Sequence, residues 1–256
     1  MGERVAVKGM AIILAAGEGK RMRSSLPKVL HEVAGEPLLA HVGRAARASG
    51  VDRIVAVVGK GAEQVAAAFA GESWEFVEQT ERLGTADAVR RAGAQLADFA
   101  GDVLVLAGDT PLLRGETLAE LRRRHHESGA VVTVLTAVLP NPHGYGRILR
   151  DATGEFVGIV EEKDATEQQR AVREVNSSVY CFEAGALRSA LGKIGKNNAQ
   201  GEYYLTDAVG ILRSDGQRVL AVPAATPEEI LGVNTVEQLA EIREILARRR
   251  AGAQER

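Results

Sequence analysis

Residues 10–22 read MAIILAAGEGKRM, and this stretch decides the fold. Met10–Ala15 is a continuous apolar run, which is typical of a strand that is buried on both faces of a sheet. It leads directly into a segment of small residues from Ala16 to Gly19, where backbone N–H groups can approach an anion closely. The stretch therefore predicts a central strand of an α/β sheet that ends in a phosphate-binding loop.

The glycine-rich loop matches neither of the two commonest phosphate-binding patterns. The Rossmann fingerprint needs a third glycine where Met22 stands, and a Walker A loop needs Ser or Thr where Arg21 stands. A glycine loop alone is also compatible with a plain tight turn after a strand. The two cations that follow, Arg21 and Lys28, favour a phosphate site because they suit a triphosphate.

Further apolar runs alternate with amphipathic segments along the first half of the chain. The runs that predict buried strands are Arg53–Val58, Trp74–Val77 and Val103–Ala107. The segments that predict helices are Leu38–Ser49, Glu63–Phe69 and Ala86–Leu96. This alternation predicts a Rossmann-like, doubly wound sheet with helices on both faces.

After Thr110 the pattern changes to strands joined by turns, with few helices among them. The predicted strands are Val131–Val138, Arg147–Leu149, Phe156–Val160 and Val175–Phe182. We therefore expect a mixed α/β sheet in one domain with two parts. Residues 8–112 and 206–235 would form a nucleotide-binding half, residues 130–205 a smaller strand-rich lobe, and residues 236–256 a helix with a charged tail.

Composition limits the possible partners of the 256-residue chain. Its formal net charge of -2 gives no general attraction to nucleic acid or to an anionic membrane. The single cysteine, Cys181, excludes an internal disulfide and fits a reducing compartment. No apolar run approaches the roughly 20 residues of a membrane span, so we expect a cytoplasmic protein. His125 and His126 are expected on a solvated helix face.

Several spaced motifs, taken with the glycine loop, resemble those of a known family. They are Gln79, Leu83-Gly84-Thr85-Ala86, Gly108-Asp109-Thr110-Pro111, Gly144-Tyr145-Gly146-Arg147-Ile148, Glu161-Glu162-Lys163, Glu174-Val175-Asn176, Tyr203-Tyr204-Leu205-Thr206-Asp207 and Gly232-Val233-Asn234. The set is similar to the sugar-phosphate nucleotidylyltransferases. Within them it most resembles the uridyltransferase domain of the bifunctional N-acetylglucosamine-1-phosphate uridyltransferases.

This resemblance implies a UTP site in the first half of the chain. The implied nucleotide contacts are Leu14, Ala15, Ala16, Gly17, Lys28, Gln79, Gly84, Thr85 and Gly108. Arg21, Lys28 and Asp109 are the implied catalytic residues. The implied cofactor is Mg²⁺, bound by Asp109 and Asn234, and two side chains suffice because magnesium takes its other ligands from phosphate and water.

The resemblance also places N-acetylglucosamine 1-phosphate in the second lobe. The implied sugar-phosphate contacts are Tyr145, Gly146, Glu161, Asn176, Thr206 and Asn234. Two positions depart from the family pattern: Ala107 stands where the family often has Tyr, and Asp87 where it often has His. No segment shows the hexapeptide repeat of the family's trimeric acetyltransferase domain, and we therefore expect a monomer.

The residues leave three alternatives open. A related nucleotidylyltransferase could use another sugar or base, which a substrate panel would distinguish. A catalytically silent nucleotide-sugar binding module is disfavoured because Lys28, Asp109 and Asn234 are all intact. A GT-A-like glycosyltransferase usually carries an Asp-x-Asp motif, and the segment around Asp109 lacks the first aspartate.

Overall fold

In the computed structural model, which describes residues 7–254, a mixed sheet has helices on both faces. The strands are β1 (Gly9–Ala15), β2 (Glu32–Val33), β3 (Glu36–Pro37), β4 (Arg53–Val58), β5 (Trp74–Glu78), β6 (Asp102–Ala107), β7 (Val132–Val138), β8 (Arg147–Arg150), β9 (Phe156–Val160), β10 (Glu174–Glu183) and β11 (Val219–Pro223). The helices are α1 (Leu38–Ala48), α2 (Ala62–Ala68), α3 (Thr85–Arg91), α4 (Gly93–Leu96), α5 (Gly115–Ser128), α6 (Glu167–Arg170), α7 (Ala184–Lys193), α8 (Thr206–Ser214) and α9 (Val236–Gln254).

The central sheet has the strand order β11-β7-β10-β6-β1-β4-β5. Strands β6, β1, β4 and β5 are parallel, and β10 is antiparallel to both β6 and β7. The chain runs from β1 to β4 on one side and later returns to β6 on the other. This reversal puts a topological switch point beside β1, and open α/β sheets bind ligands in the crevice that such a point creates.

Side chains of β1 alternate between two apolar cores, which is why the strand must be apolar throughout. Ile13 packs into the core that contains α1 and α5 residues, and Ile12 packs into the core that contains α3, α7 and α8 residues. Both side chains are fully buried. The doubly wound mixed fold predicted from the sequence is confirmed.

One predicted helix differs from the structure. The segment Ala86–Leu96 was expected to be one helix, but it divides at Ala92 into α3 and α4, next to Gly93, a residue that disfavours helix interiors. The strand-rich segment 130–205 forms part of the mixed central sheet. Its strands β7 and β10 extend the central sheet, and the β8–β9 hairpin attaches to β10.

The C-terminal helix begins where the sequence predicts it. The helix α9 begins at Val236 and packs Leu239, Ile242 and Ile245 into a third apolar cluster. The last two residues of the predicted tail, 255–256, lie outside the described residues. Within residues 7–254, no helix combines the length and the apolar character needed to cross a membrane.

Candidate active site

An open cavity lies at the carboxyl ends of β1 and β6, at the switch point of the sheet. Most of the residues predicted for the site line this cavity. They are Leu14, Ala15, Ala16, Gly17, Arg21, Lys28, Gln79, Gly84, Thr85, Asp109, Tyr145, Gly146, Glu161, Asn176 and Asn234. Segments separated by more than 200 positions therefore meet at one edge of the sheet.

Two predicted residues do not line the cavity. Gly108 donates its backbone N–H to the carbonyl of Leu14 at 2.9 Å, and an added Cβ would stand 3.0 Å from that carbonyl oxygen. Gly108 thus lets β6 approach β1 closely. Thr206 is buried, and its hydroxyl donates to Glu161 at 3.0 Å. The structure places Thr206 behind the cavity wall, in contact with a residue that forms the wall.

Lys28, Asp109 and Asn234 converge on one point of the cavity. The ammonium group of Lys28 forms an ion pair with Asp109 and donates to Asn234 Oδ1 at 3.1 Å. Both oxygens therefore contact a single cation. Asn234 is itself held at the start of α9, where its backbone N–H donates to Gln238 Oε1 at 2.8 Å.

The glycines of the loop make room for the Lys28 side chain. Gly19 has a positive φ of 62°, and a Cβ there would lie 2.8 Å from the Lys28 Cβ. At Gly17 a Cβ would lie 3.5 Å from the Lys28 side chain. The loop therefore packs directly against the side chain that reaches Asp109.

The Gln79 side chain follows β5, lines the cavity and lies close to α3. Its amide donates to the Gly84 carbonyl at 3.1 Å and to Asp87 Oδ2 at 2.8 Å. Gly84 has a φ of 116°, and an added Cβ would stand 2.4 Å from the carbonyl oxygen of Tyr203. That carbonyl accepts the Ala86 N–H at 2.9 Å, so the Gly84 turn is tied to the segment before α8.

We expect Gly84→Ala to lower the melting temperature, because it introduces both a clash and an unfavourable φ, at a cost of about 1–3 kcal/mol for the backbone alone. The measurement is thermal unfolding of the purified variant. Gly71→Ala is the matched control, since a Cβ at Gly71 meets nothing within 4 Å. Equal melting temperatures for the two variants would contradict the close approach at Gly84.

Asn176 lies in β10, on the other side of β1 in the sheet order from β5, which Gln79 follows, and its backbone N–H donates to the Gly146 carbonyl at 2.9 Å. Gly146 is buried beside Glu161, where a Cβ would meet Glu161 Oε2 at 3.3 Å. Burial raises the pKa of Glu161, and the hydrogen bond from Thr206 lowers it. Neighbouring Asp164 and Asp207 raise this pKa further.

Asn176 is buried and partly engaged within the protein. Its Nδ2 donates to the Tyr180 hydroxyl at 2.7 Å, and its Oδ1 accepts the Ser178 backbone N–H at 3.1 Å. Ser178 adopts a left-handed φ of 60° at the bulge in β10. One N–H of the Asn176 amide therefore remains for a ligand.

The sequence analysis did not identify Arg147 as a residue that supports the site. It is almost fully buried, forms an ion pair with Glu162 at 2.6 Å and donates to the carbonyl of Tyr145. It also donates to the Arg170 carbonyl at 3.3 Å. Its position inside the glycine-tyrosine-glycine-arginine motif was the available signal, but only the structure shows that it braces the segment around Tyr145.

A second polar cluster lies within the core. Asp102, His125 and Cys181 place one potential ligand atom each within 4.8 Å of one another. The prediction that His125 lies on a solvated helix face is wrong. The His125 side chain is buried, and its Nδ1 lies 2.9 Å from the Thr133 hydroxyl, because this side of α5 faces β7. Asp102 already accepts from Arg122 at 3.0 Å. Burial raises the pKa of Cys181, which fits the packed thiol expected from the sequence.

Comparison with known proteins places the chain in a family. A family model described as "MobA-like NTP transferase domain" matches residues 11–175. The chain belongs to this family. This family assignment agrees with the glycine loop and with the cavity at the switch point of the parallel strands. The solved structure of a nucleotidyl transferase from Methanothermobacter thermautotroptrophicus shares the fold, with a TM-score of 0.64 and 21% identity over 94% of this chain and 98% of that one.

Curated relatives are more similar in sequence. The "Bifunctional protein GlmU" of Pelotomaculum thermopropionicum is 50% identical over 239 residues, which are 93% of this chain and 52% of the relative. The protein of the same name from Geobacter metallireducens is 52% identical over 232 residues, which are 90% and 49%. The chain thus spans about half the length of these relatives. The resemblance inferred from the motifs is confirmed.

Proposed function

We propose that the chain is a nucleotidyltransferase that forms UDP-N-acetylglucosamine and pyrophosphate from UTP and N-acetylglucosamine 1-phosphate. The observation that carries the proposal is the convergence of Lys28, Asp109 and Asn234 on one point of the switch-point cavity. Similarity to the relatives named above over almost the whole chain supports the choice of substrates. The expected monomeric state and cytoplasmic location stay predictions.

Asp109 and Asn234 would hold the metal ion in this proposal. The fit is supported by the Lys28 ammonium group, because a cation already contacts an oxygen of each residue. Carboxylate and amide oxygens suit Mg²⁺, which completes its shell with phosphate and water. When bound, Mg²⁺ supplies charge neutralisation on the phosphates.

The residues of the cavity would act by alignment and by charge. A phosphate oxygen of the sugar phosphate forms a bond to the α-phosphorus of UTP, and the bond from that phosphorus to the β-phosphate oxygen breaks. The attacking oxygen is already anionic and needs no general base. Arg21 and Lys28, which both line the cavity, offset the charge on the departing pyrophosphate.

The central experiment is pyrophosphate release by the purified chain with UTP, Mg²⁺ and N-acetylglucosamine 1-phosphate. A panel with CTP, ATP, glucose 1-phosphate and glucosamine 1-phosphate then tests the related enzymes with another base or sugar. We expect the stated pair to be preferred. Absence of pyrophosphate with every pair, despite UTP binding, would instead support the silent binding module.

Replacement of Asn176 by Ala should weaken the binding of the sugar phosphate far more than the binding of UTP. Asn176 lines the cavity from β10, whereas the predicted uracil contact, Gln79, follows β5 on the other side of β1. Loss of one hydrogen bond predicts a rise of about tenfold in KM for the sugar phosphate. The measurement is the pair of KM values, with the exposed Asn197→Ala as control. A rise confined to the KM for UTP would show that Asn176 contacts the nucleotide and not the sugar phosphate.

Acidic pH should weaken sugar-phosphate binding through Glu161. Its ionised carboxylate accepts sugar hydroxyls, and burial raises its pKa above 4.5, so this acceptor is lost as the pH falls through the raised value. Glu161→Gln lacks that titration, whereas ionisation of the sugar phosphate is common to both proteins. The ratio of kcat/KM between wild type and Glu161→Gln should therefore fall with decreasing pH. A ratio that is constant with pH would contradict the role of the carboxylate.

A further inference from the structure

The Gln79 amide is held in one orientation by two acceptors. Gln79 is only 5% exposed, and it lines the cavity. Its Nε2 donates to the Gly84 carbonyl at 3.1 Å and to Asp87 Oδ2 at 2.8 Å. Both N–H groups of the amide are therefore engaged, and Oε1 is the atom left for a ligand.

Asp87 makes the reversed orientation unfavourable. If the Gln79 amide were turned over, Oε1 would face the Gly84 carbonyl and the Asp87 carboxylate, and neither is a donor. Asp87 is itself buried, and Arg91 one turn later on α3 pairs with it at 3.3 Å. The ion pair with Arg91 holds the Asp87 carboxylate in place, and a carboxylate accepts hydrogen bonds but donates none.

We propose that Asp87 is a positioning residue that sets base selectivity by presenting Gln79 Oε1 to the nucleotide as a fixed acceptor. The base then has to carry an N–H at the facing position. The N3–H of uracil meets this demand, whereas N3 of cytosine carries a lone pair and would leave two acceptors facing each other. The inference rests on the proposed function in taking Gln79 as the residue that contacts the base.

Removal of Asp87 leaves Gln79 with one acceptor instead of two. The amide then reverses more easily and can present Nε2 to N3 of cytosine. Because an imposed acceptor-to-acceptor contact costs about as much as an unsatisfied buried polar group, we expect about a tenfold change in selectivity. The predicted sugar-phosphate contact Asn176 lies in β10, on the other side of β1 from Gln79, so the KM for the sugar phosphate should stay unchanged.

The test is the ratio of the CTP and UTP dissociation constants, measured by titration calorimetry with Mg²⁺ and without sugar phosphate. Wild type should prefer UTP, and Asp87→Ala should reduce the ratio about tenfold. Asp87→Asn keeps the size of the side chain and can either accept from or donate to Gln79, so it should reduce the ratio less. Asp98→Ala, an exposed control after α4, should leave the ratio unchanged.

A double-mutant cycle separates positioning from general loosening of the fold. If Asp87 acts through Gln79, then Asp87→Ala should change the ratio no further in a Gln79→Ala background. A further tenfold fall in that background, or an unchanged ratio in both Asp87 variants, would overturn the proposal. So would equal binding of UTP and CTP by wild type.

Pyrophosphate release by the same proteins tests the proposed function separately. Loss of selectivity in the Asp87 variants without any turnover in wild type would support the positioning role and refute the enzyme activity. Turnover in wild type with an unchanged selectivity ratio in the variants would support the enzyme activity and refute the positioning role of Asp87.

Discussion

Asp109→Asn should fold normally and lose turnover by about 10²–10³-fold, because it removes the charged oxygen ligand proposed for Mg²⁺, whose charge stabilisation is worth several kcal/mol. The substitution preserves the size of the side chain. The backbone of Asp109 should also keep its place, since its carbonyl accepts the Val233 N–H at 2.9 Å. The effect should therefore appear in catalysis and not in folding.

The measurement is kcat as a function of Mg²⁺ concentration, together with thermal unfolding. The Asp109→Asn protein should need more Mg²⁺ to reach half of its own maximal rate, and its melting temperature should remain near that of wild type. The exposed Asp98→Asn provides the matched control. A wild-type rate for Asp109→Asn at limiting Mg²⁺ would show that Asp109 is not a ligand of the metal ion.

The sheet could be predicted closely from the sequence because each strand is a local signal. The predicted strands Arg53–Val58 and Phe156–Val160 agree with the structure at both ends. Their apolar runs, bounded by polar residues, are visible without knowledge of the fold. The order in which the strands pair could not be predicted in the same way, because strand pairing depends on contacts between distant segments.

The site could be predicted in part for the same reason. Motif residues such as Lys28 and Asn234 could be named from the sequence, but their meeting on one point depends on the packing of α9 against the loops. His125 was misplaced because its neighbours on α5 are charged, while its own side chain faces β7. The role proposed for Asp87 could not be predicted, since it depends on which atoms of Gln79 are already engaged.

Lys28→Ala should reduce kcat by about 10²–10³-fold, the usual cost of removing one preorganised donor to developing charge. Lys28 follows Pro27, whose ring fixes the backbone, and its side chain is packed against the glycine loop. Only 11% of the side chain is exposed, so the ammonium group has little freedom to leave the cavity. Its charge is thus held in place before the substrate binds.

The control is Lys60→Ala, which removes an exposed lysine that also lies beside a glycine but does not line the cavity. We expect Lys60→Ala to keep nearly full turnover. Lys28→Arg is informative as well, because it retains the charge but replaces a compact ammonium group by a larger planar one that does not fit the same space against Gly19. It should recover only part of the lost rate. Equal rates for Lys28→Ala and Lys60→Ala would show that the cavity does not use the Lys28 charge, because only one of these two cations faces Asp109.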